Sequence, residues 1–162
     1  MNDTFKYNSV DVAQYIIAYA NDNNFGINMT KLQKLLYIVY GVYIAVKNER
    51  LTNEHPQAWP FGPVFPTTRN KLLKKNFYDY HLSNTIFDKL NKDDEFVSLI
   101  ALVFRTFGNK TAGYLSEWSH QTGSPWDKIR QSDKFKWGDR IPDEYIVDYF
   151  NNSVIKKNGS QE

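Results

Sequence analysis

The stretch from Met29 to Val46, MTKLQKLLYIVYGVYIAV, decides the fold. Its apolar residues recur at three- and four-residue steps, which is typical of a helix. They cover both sides of that helix: Leu32, Leu35, Leu36, Val39, Val42 and Val46 on one, and Tyr37, Ile38, Tyr40 and Ile44 on the other. A helix that is apolar all round is buried. The sequence therefore predicts a central helix at about residues 30–48, capped by Thr30, with Lys47, Glu49 and Arg50 reaching solvent at its end.

Shorter amphipathic helices are predicted on both sides of this segment. One follows Ser9, a good N-cap residue, and a strong one runs from about Asp93 to Phe107. Others begin after three cap or first-turn residues, Thr111, Ser124 and Pro142. The pattern predicts a mostly α protein.

Four prolines between residues 51 and 66 interrupt the helical pattern. This stretch is predicted to be an ordered loop or a short strand. A short basic helix at Thr67–Lys75 and an edge strand at Phe77–Leu82 are predicted to follow. We therefore expect a minor β element near residues 58–82.

Length and composition indicate one folded domain. The chain has 162 residues, of which 41% are hydrophobic, so we expect a single compact domain over residues 1–155 and a flexible tail at 156–162. The net charge of +2 points to no partner by itself. Neither a secretory signal nor an apolar run of the ~20 residues that span a bilayer is present, so we expect a cytoplasmic protein that does not contact membranes.

Catalytic and metal-binding patterns are poorly supported. Without cysteine, disulfide scaffolds, zinc ribbons and cysteine nucleophiles are excluded. His55, His81 and His120 stand apart, and no serine has the glycine-flanked elbow of a hydrolase. We therefore predict no catalytic residue, metal or cofactor. An enzyme that uses Glu117, His120 or Asp127 in a cleft is the distant alternative.

Basic and aromatic residues leave two kinds of binding surface to consider. The cations Arg69, Lys71, Lys74 and Lys75 could contact nucleic acid, but a solvated helix face is the commoner explanation. Aromatic residues are in excess in irregular segments, namely Trp59, Phe61, Trp118, Trp126 and Trp137. Such rings either pin loops onto a helical core or form binding hot spots.

Four motifs in order carry a resemblance to a known family. They are Met29-Thr30-Lys31-Leu32-Gln33-Lys34-Leu35-Leu36-Tyr37, Ala58-Trp59-Pro60-Phe61-Gly62-Pro63-Val64, Leu115-Ser116-Glu117-Trp118-Ser119-His120 and Ser124-Pro125-Trp126. The chain resembles the Panacea domain of SocA-type antitoxins, which also includes phage-associated GepA-like proteins, along roughly residues 10–150. Two departures are mild: Phe61 stands where the family usually has Tyr, and Trp118-Ser119-His120 replaces an apolar-Thr-His sequence.

The resemblance implies a helical antitoxin that is not an enzyme. It would neutralise a toxin encoded beside it by direct binding, or deliver the toxin or another client to a cytoplasmic AAA+ protease. Members of that family often carry an added DNA-binding or other domain, and 162 residues leave no room for one, so we expect no nucleic-acid partner and no autoregulation by DNA binding.

Within that resemblance, the loop at Trp59–Val64 and the junction at His120–Trp126 are expected to pack against the central helix and recognise the toxin. The candidate partner-binding residues are Trp59, Phe61, Gly62, Pro63, Val64, Trp118, His120, Pro125 and Trp126. Some residues of the motifs are expected to be architectural, namely Leu35, Leu36, Gly62, Leu115 and Trp126. His120 is expected to be a buried hydrogen-bonding partner of the Gly-Pro-Val loop.

Overall fold

Helices surround one buried helix in the computed structural model, which describes residues 4–156. The helices are α1 (Ser9–Asp22), α2 (Met29–Lys47), α3 (Pro66–Leu72), α4 (Asp88–Asn91), α5 (Asp94–Phe107), α6 (Ala112–Ser119), α7 (Pro125–Arg130) and α8 (Asp143–Tyr149). The strands are β1 (Phe5–Tyr7), β2 (Arg50–Thr52), β3 (Gln57–Trp59) and β4 (Gly62–Val64). The prediction of a mostly α fold is confirmed. The predicted tail lies outside the described residues apart from Lys156.

Helix α2 is the centre of the structure, as its sequence predicts. Every residue from Lys31 to Ile44 is buried, and α1, α5, α6, α8 and β4 pack around it. The close approach of the last helical segment depends on Gly41, since a Cβ there would lie 2.4 Å from the Phe150 ring. Phe150 begins a π-helix, Phe150–Ile155, that continues α8.

Two predicted helix starts are displaced by one or two residues. Asn28, not Thr30, caps α2 by accepting a hydrogen bond from the Lys31 N–H, and Asn8, not Ser9, caps α1. The asparagines precede the predicted caps in sequence and are equally good at accepting from a first-turn amide. The predicted caps Thr111 and Ser124 are confirmed, because their hydroxyls accept from Tyr114 N and Asp127 N.

The prediction that Arg50 reaches solvent is wrong. Asn48 ends α2 in the left-handed conformation and reverses the chain. The chain then returns as β2, which pairs in parallel with β1, with Phe5 opposite Arg50 and Tyr7 opposite Thr52. Arg50 is only 5% exposed, and its guanidinium contacts the imidazole of His55.

The minor β element predicted near residues 58–82 is confirmed as the β3–β4 hairpin, in which Trp59 lies opposite Gly62. The edge strand predicted at Phe77–Leu82 is wrong. Residues Phe77–Asp79 form a 3₁₀ turn instead. The side-chain amide of Asn21 donates to the carbonyls of Phe77 and Tyr80, so these acceptors are satisfied without a strand partner.

No helix within residues 4–156 has both the length and the apolar character needed to cross a bilayer.

Candidate partner-binding site

The β3–β4 hairpin presents its turn to solvent and its base to the core. Phe61, in the turn, is 78% exposed, whereas Gly62, Pro63 and Val64 are buried. Gly62 has a φ of +111°, and a Cβ there would lie 2.5 Å from the Ser119 hydroxyl and 3.0 Å from Lys34 Cε. Only glycine fits this conformation and this close approach. The start of β4 therefore lies directly on α2 and α6.

Two polar side chains of α2 hold the hairpin from below. The Lys34 ammonium donates to the Pro63 carbonyl at 2.9 Å, and the Gln33 side-chain oxygen accepts from Phe65 N at 2.7 Å. Both side chains are buried, and burial lowers the pKa of Lys34 to about 8. Neither residue was nominated for the site from the sequence. The available signal was a pair of polar residues, Gln33 and Lys34, within the otherwise apolar stretch from Leu32 to Val46.

The junction between α6 and α7 packs on the hairpin. Trp126 is 7% exposed, and its indole N–H donates to the Trp59 carbonyl at 2.7 Å. Next to it, Gly123 has a φ of +85°, and its N–H donates to the Asp127 carboxylate. The hairpin packs against the central helix, as expected of the loop. The junction packs against the hairpin, through the hydrogen bond from Trp126 to Trp59.

The role expected of His120 is wrong. Its side chain is half-buried, and its ring packs edge-on against Trp126, with centroids 5.0 Å apart. Its Nδ1 lies 3.3 Å from the Glu117 carbonyl, and no hydrogen bond joins it to the Gly-Pro-Val segment within the described residues. The Pro63 carbonyl of that segment accepts from Lys34 instead, and Phe65 N, just after the segment, donates to Gln33.

A segment after α7 adds a further aromatic residue. Ala58 N donates to the Asp139 carbonyl, and Gly138 N donates to the Ala58 carbonyl, both at 2.8 Å. This pairing brings Trp137 to within 6.0 Å of the Trp126 ring, measured between centroids, and leaves Trp137 53% exposed. The sequence placed Trp137 in a polar loop, but no local pattern indicates its pairing with a segment about 80 residues away.

The exposed surface around the hairpin is called the hairpin face below. It consists of the turn residue Phe61, the indoles of Trp59 and Trp137, the His120 ring, and the guanidinium groups of Arg69 and Arg130, with the buried Trp126 ring beneath them. The two guanidinium groups lie over indoles, that of Arg69 6.0 Å from the Trp59 ring centroid and that of Arg130 5.2 Å from the Trp126 ring centroid. These contacts give the face a mixed aromatic and cationic character.

The nominated residues do not all lie on this face. Trp118 packs against Phe107 and Phe150 and lines a separate polar cleft with Tyr149 and Asn152. Others are buried and support the face from inside, namely Gly62, Pro63, Val64, Pro125 and Trp126. Leu35, Leu36 and Leu115, expected to be architectural, are fully buried.

A buried polar cluster lies on another side of α2. The Tyr40 hydroxyl donates to the Asp143 carboxylate at 2.5 Å, and His55 Nδ1 lies 3.6 Å from the other oxygen of that carboxylate. Burial raises the pKa of Asp143, but the contact with His55 and the hydrogen bond from Tyr40 outweigh burial and lower it below its ordinary value. The cluster ties α8 and the segment after β2 to the central helix.

The residues named for a catalytic alternative are not assembled by the fold. Glu117 is exposed, whereas the Asp127 carboxylate is engaged by Gly123 N and the Gln131 side chain. No hydrogen bond joins the side chains of Glu117, His120 and Asp127 in the described part of the chain. Within residues 4–156, no three histidines or carboxylates are grouped so that they could hold a metal ion.

An apolar groove between α2 and α5 is a second concave surface. It encloses about 460 Å³ and is lined mainly by Val42, Val46, Leu99 and Leu102. An ion pair of 2.6 Å between Lys47 and Glu95 closes one end. Sequence periodicity did not single out this groove, because its residues are apolar positions of two helices that both carry buried stripes.

Comparisons with known proteins assign the family. Residues 32–127, which include most of α2, the hairpin and the junction, match the family model described as "Antitoxin SocA-like, Panacea domain". The chain is 31% identical over 154 residues to antitoxin SocA of Caulobacter vibrioides, covering 86% of this chain and 80% of that protein. No solved structure matches the chain. The resemblance carried by the four sequence motifs is thereby confirmed, and the chain belongs to the family of SocA-like antitoxins with a Panacea domain.

Proposed function

We propose that this protein neutralises a cognate toxin by binding it directly, and that the hairpin face makes the contact. Family membership supports an antitoxin role. The observation that carries the choice of surface is Phe61, a phenylalanine that is 78% exposed at the tip of a hairpin held on its inner side. A large apolar side chain in such a position is typical of a binding anchor.

The rigidity of the hairpin favours this surface over a flexible loop. Its base is fixed by Lys34 and Gln33 from α2 and by the indole of Trp126 from α7. A contact surface that is already ordered loses little conformational entropy when a partner binds. Burial of the Phe61 ring is then expected to contribute about 2 kcal/mol, a roughly 30-fold effect on Kd.

We propose a non-enzymatic mechanism, acting in the cytoplasm. The polar clusters that the fold assembles hold structural elements together: Asp143 joins α8 to α2, and Glu54 accepts from the first amides of α3, Thr67 N and Thr68 N. The carboxylates of Asp143 and Glu54 thus accept hydrogen bonds from donors of the protein itself. Neutralisation would therefore come from covering the toxin's active surface.

Delivery of the toxin to an AAA+ protease is the second candidate function. The apolar groove between α2 and α5 favours it, because this groove is distinct from the hairpin face. An adaptor needs two surfaces that can be occupied at once, one for its client and one for the protease. The two mechanisms differ in the fate of the toxin, which persists in a complex with a blocker and is degraded with an adaptor.

The test is growth rescue by variants when the neighbouring open reading frame is expressed as the toxin. Phe61→Ala should abolish or strongly reduce rescue while leaving the thermal unfolding midpoint unchanged, because the side chain is exposed. Tyr78→Ala is the matched control, since Tyr78 is 82% exposed and lies in the 3₁₀ turn, away from the hairpin face. Full rescue by Phe61→Ala together with loss of rescue by Leu102→Asp would move the contact to the α2–α5 groove.

A pulse-chase measurement of toxin lifetime separates blocker from adaptor. Direct neutralisation predicts a toxin that is as long-lived in the presence of this protein as in a strain lacking AAA+ proteases. A toxin that disappears only when both this protein and an active protease are present would establish the adaptor mechanism. In that case Leu102→Asp should stabilise the toxin without preventing its binding.

A further inference from the structure

We infer that the hairpin face binds a toxin segment that carries acidic side chains, with Arg69 and Arg130 as the groups that receive its carboxylates. This inference rests on the proposed function, because it specifies the chemistry of the partner that the hairpin face would contact. It adds two arginines that the four motifs do not contain.

The guanidinium groups of Arg69 and Arg130 contact indole rings and no acidic side chain within the described part of the chain. Each lies over an indole, Arg69 over Trp59 and Arg130 over Trp126. Neither makes an ion pair or a side-chain hydrogen bond within residues 4–156. A guanidinium presents five N–H donors in a planar fork that matches a carboxylate in bidentate geometry. The indole contacts therefore place two such forks on the hairpin face, with no ion-pair partner among residues 4–156.

The two arginines are parts of one connected surface. The Trp126 indole donates to the backbone carbonyl of Trp59 at 2.7 Å, so the ring beneath Arg130 is bonded to the backbone of the residue that lies beneath Arg69. Both rings are in turn fixed by their elements, β3 and α7. Because β3 and α7 are bonded to each other, a partner meets both arginine-bearing rings on one ordered surface.

Nearby carboxylates are already occupied by backbone amides. Glu54 accepts from Thr67 N and Thr68 N, Asp127 accepts from Gly123 N, and Asp139 accepts from Lys136 N at 2.9 Å. These acids therefore satisfy turns and helix starts and leave the arginines available to a partner.

The charge distribution supports an acidic partner. Residues 66–75 contain four cations and no acid, and residues 128–140 contain five cations and two acids. The whole chain has a net charge of only +2, so the cations are concentrated in the segments that border the hairpin face. Complementary charge on a partner raises its association rate and selects against partners with basic surfaces.

A protein partner fits this surface better than a nucleic acid does. The apolar ring of Phe61 is 78% exposed, and Asp133 and Asp139 interrupt the row of cations after α7. A continuous phosphate backbone would pass these carboxylates, whereas separate acidic side chains can pair with each guanidinium group alone.

The test measures the toxin's Kd for charge-reversal variants by titration calorimetry. Arg69→Glu and Arg130→Glu should each raise the Kd at least about tenfold, and the wild-type Kd should rise about tenfold between 50 and 500 mM NaCl. Arg105→Glu is the matched control, because Arg105 is exposed on α5 and lies outside the hairpin face. Arg69→Gln and Arg130→Gln repeat the test without adding a negative charge, in case a reversal disturbs folding. A toxin variant with an acidic residue changed to Arg should restore binding to Arg130→Glu.

The outcomes separate this inference from the proposed function. Unchanged binding by the arginine variants, together with loss of binding by Phe61→Ala, would overturn the inference and leave the hairpin face as the contact. Unchanged binding by all of them, Phe61→Ala included, would overturn both.

Fluorescence anisotropy with a labelled 20-nucleotide single-stranded DNA or RNA tests the other class of partner. Nucleic-acid binding that the reversals abolish, with toxin binding unchanged, would also overturn the inference.

Discussion

At the scale of single residues, Gly62 shows how the hairpin depends on one backbone conformation. Its φ of +111° disfavours any side chain, and the space that a Cβ would need is taken by the Ser119 hydroxyl at 2.5 Å. Strain and overlap therefore act together at the point where β4 rests on α2 and α6.

Gly62→Ala is expected to destabilise the protein by about 2–4 kcal/mol. The free energy of unfolding from urea titration measures it. Gly26→Ala is the matched control, since Gly26 is exposed and a Cβ there would meet nothing within 4 Å. Equal stability of the two variants would contradict the close contact assigned to Gly62.

Lys34 predicts a pH dependence of stability. Burial lowers its pKa from 10.5 to about 8 in the folded state, so above pH 8 the unfolded chain binds more protons than the folded one. Stability then rises with pH, because the cost of burying the ammonium disappears as the folded state loses its proton. The gain between pH 7.5 and 9.5 is about 2 kcal/mol.

The measurement is the difference in unfolding free energy between wild type and Lys34→Met at several pH values. Subtraction removes the contribution of the buried tyrosines, whose raised pKa values act in the opposite direction at higher pH. The difference should change in favour of the wild type as the pH rises from 7.5 to 9.5. Parallel pH profiles would show that Lys34 is not desolvated in solution.

At the scale of elements, the hairpin and α7 act as one unit. The indole of Trp126 donates to the Trp59 carbonyl, and Ala58 exchanges hydrogen bonds with the segment that carries Trp137. The hairpin is thus hydrogen-bonded to α7, to the segment that carries Trp137 and to α2.

Trp126→Phe should loosen the hairpin by removing that donor, at a cost of about 1 kcal/mol. Amide hydrogen exchange should become faster over residues 57–64 and remain unchanged in β1 and β2. Trp118→Phe is the control, because the Trp118 indole makes no hydrogen bond among the described residues. Faster exchange in the hairpin for Trp118→Phe but not for Trp126→Phe would contradict the link between hairpin and α7.

The elements also show what the sequence could predict. Central helix α2 was predictable because its apolar residues cover every face, and the hairpin region because four prolines interrupt the helical pattern. The parallel pair β1–β2 and the buried position of Arg50 depend on contacts between segments more than 40 residues apart. Periodicity and capping rules report local structure only, so these contacts have no local signal.

The candidate site was predictable to a similar extent. The motifs singled out the hairpin and the junction, and the fold joins these two. They did not indicate that Trp118 faces a different cleft, or that Trp137, Arg69 and Arg130 complete the exposed surface. The role of Lys34 was hidden because a lysine in a helix is normally solvated.

At the scale of the whole molecule, two surfaces of different chemistry are available to partners. The hairpin face combines exposed rings with cations, whereas the α2–α5 groove is aliphatic and ends at the Lys47–Glu95 ion pair. A blocker requires one such surface and an adaptor requires both. Family membership is compatible with either mechanism, so the surface that the toxin occupies is the decisive property.

Hydrogen–deuterium exchange of the toxin complex, compared with the free protein, measures that property most directly. Toxin binding at the hairpin face predicts slower exchange over residues 57–64 and 123–139, with residues 42–47 and 94–102 unchanged. Protection confined to residues 42–47 and 94–102, with the hairpin exchanging as in the free protein, would contradict the assignment of the hairpin face as the toxin-binding surface.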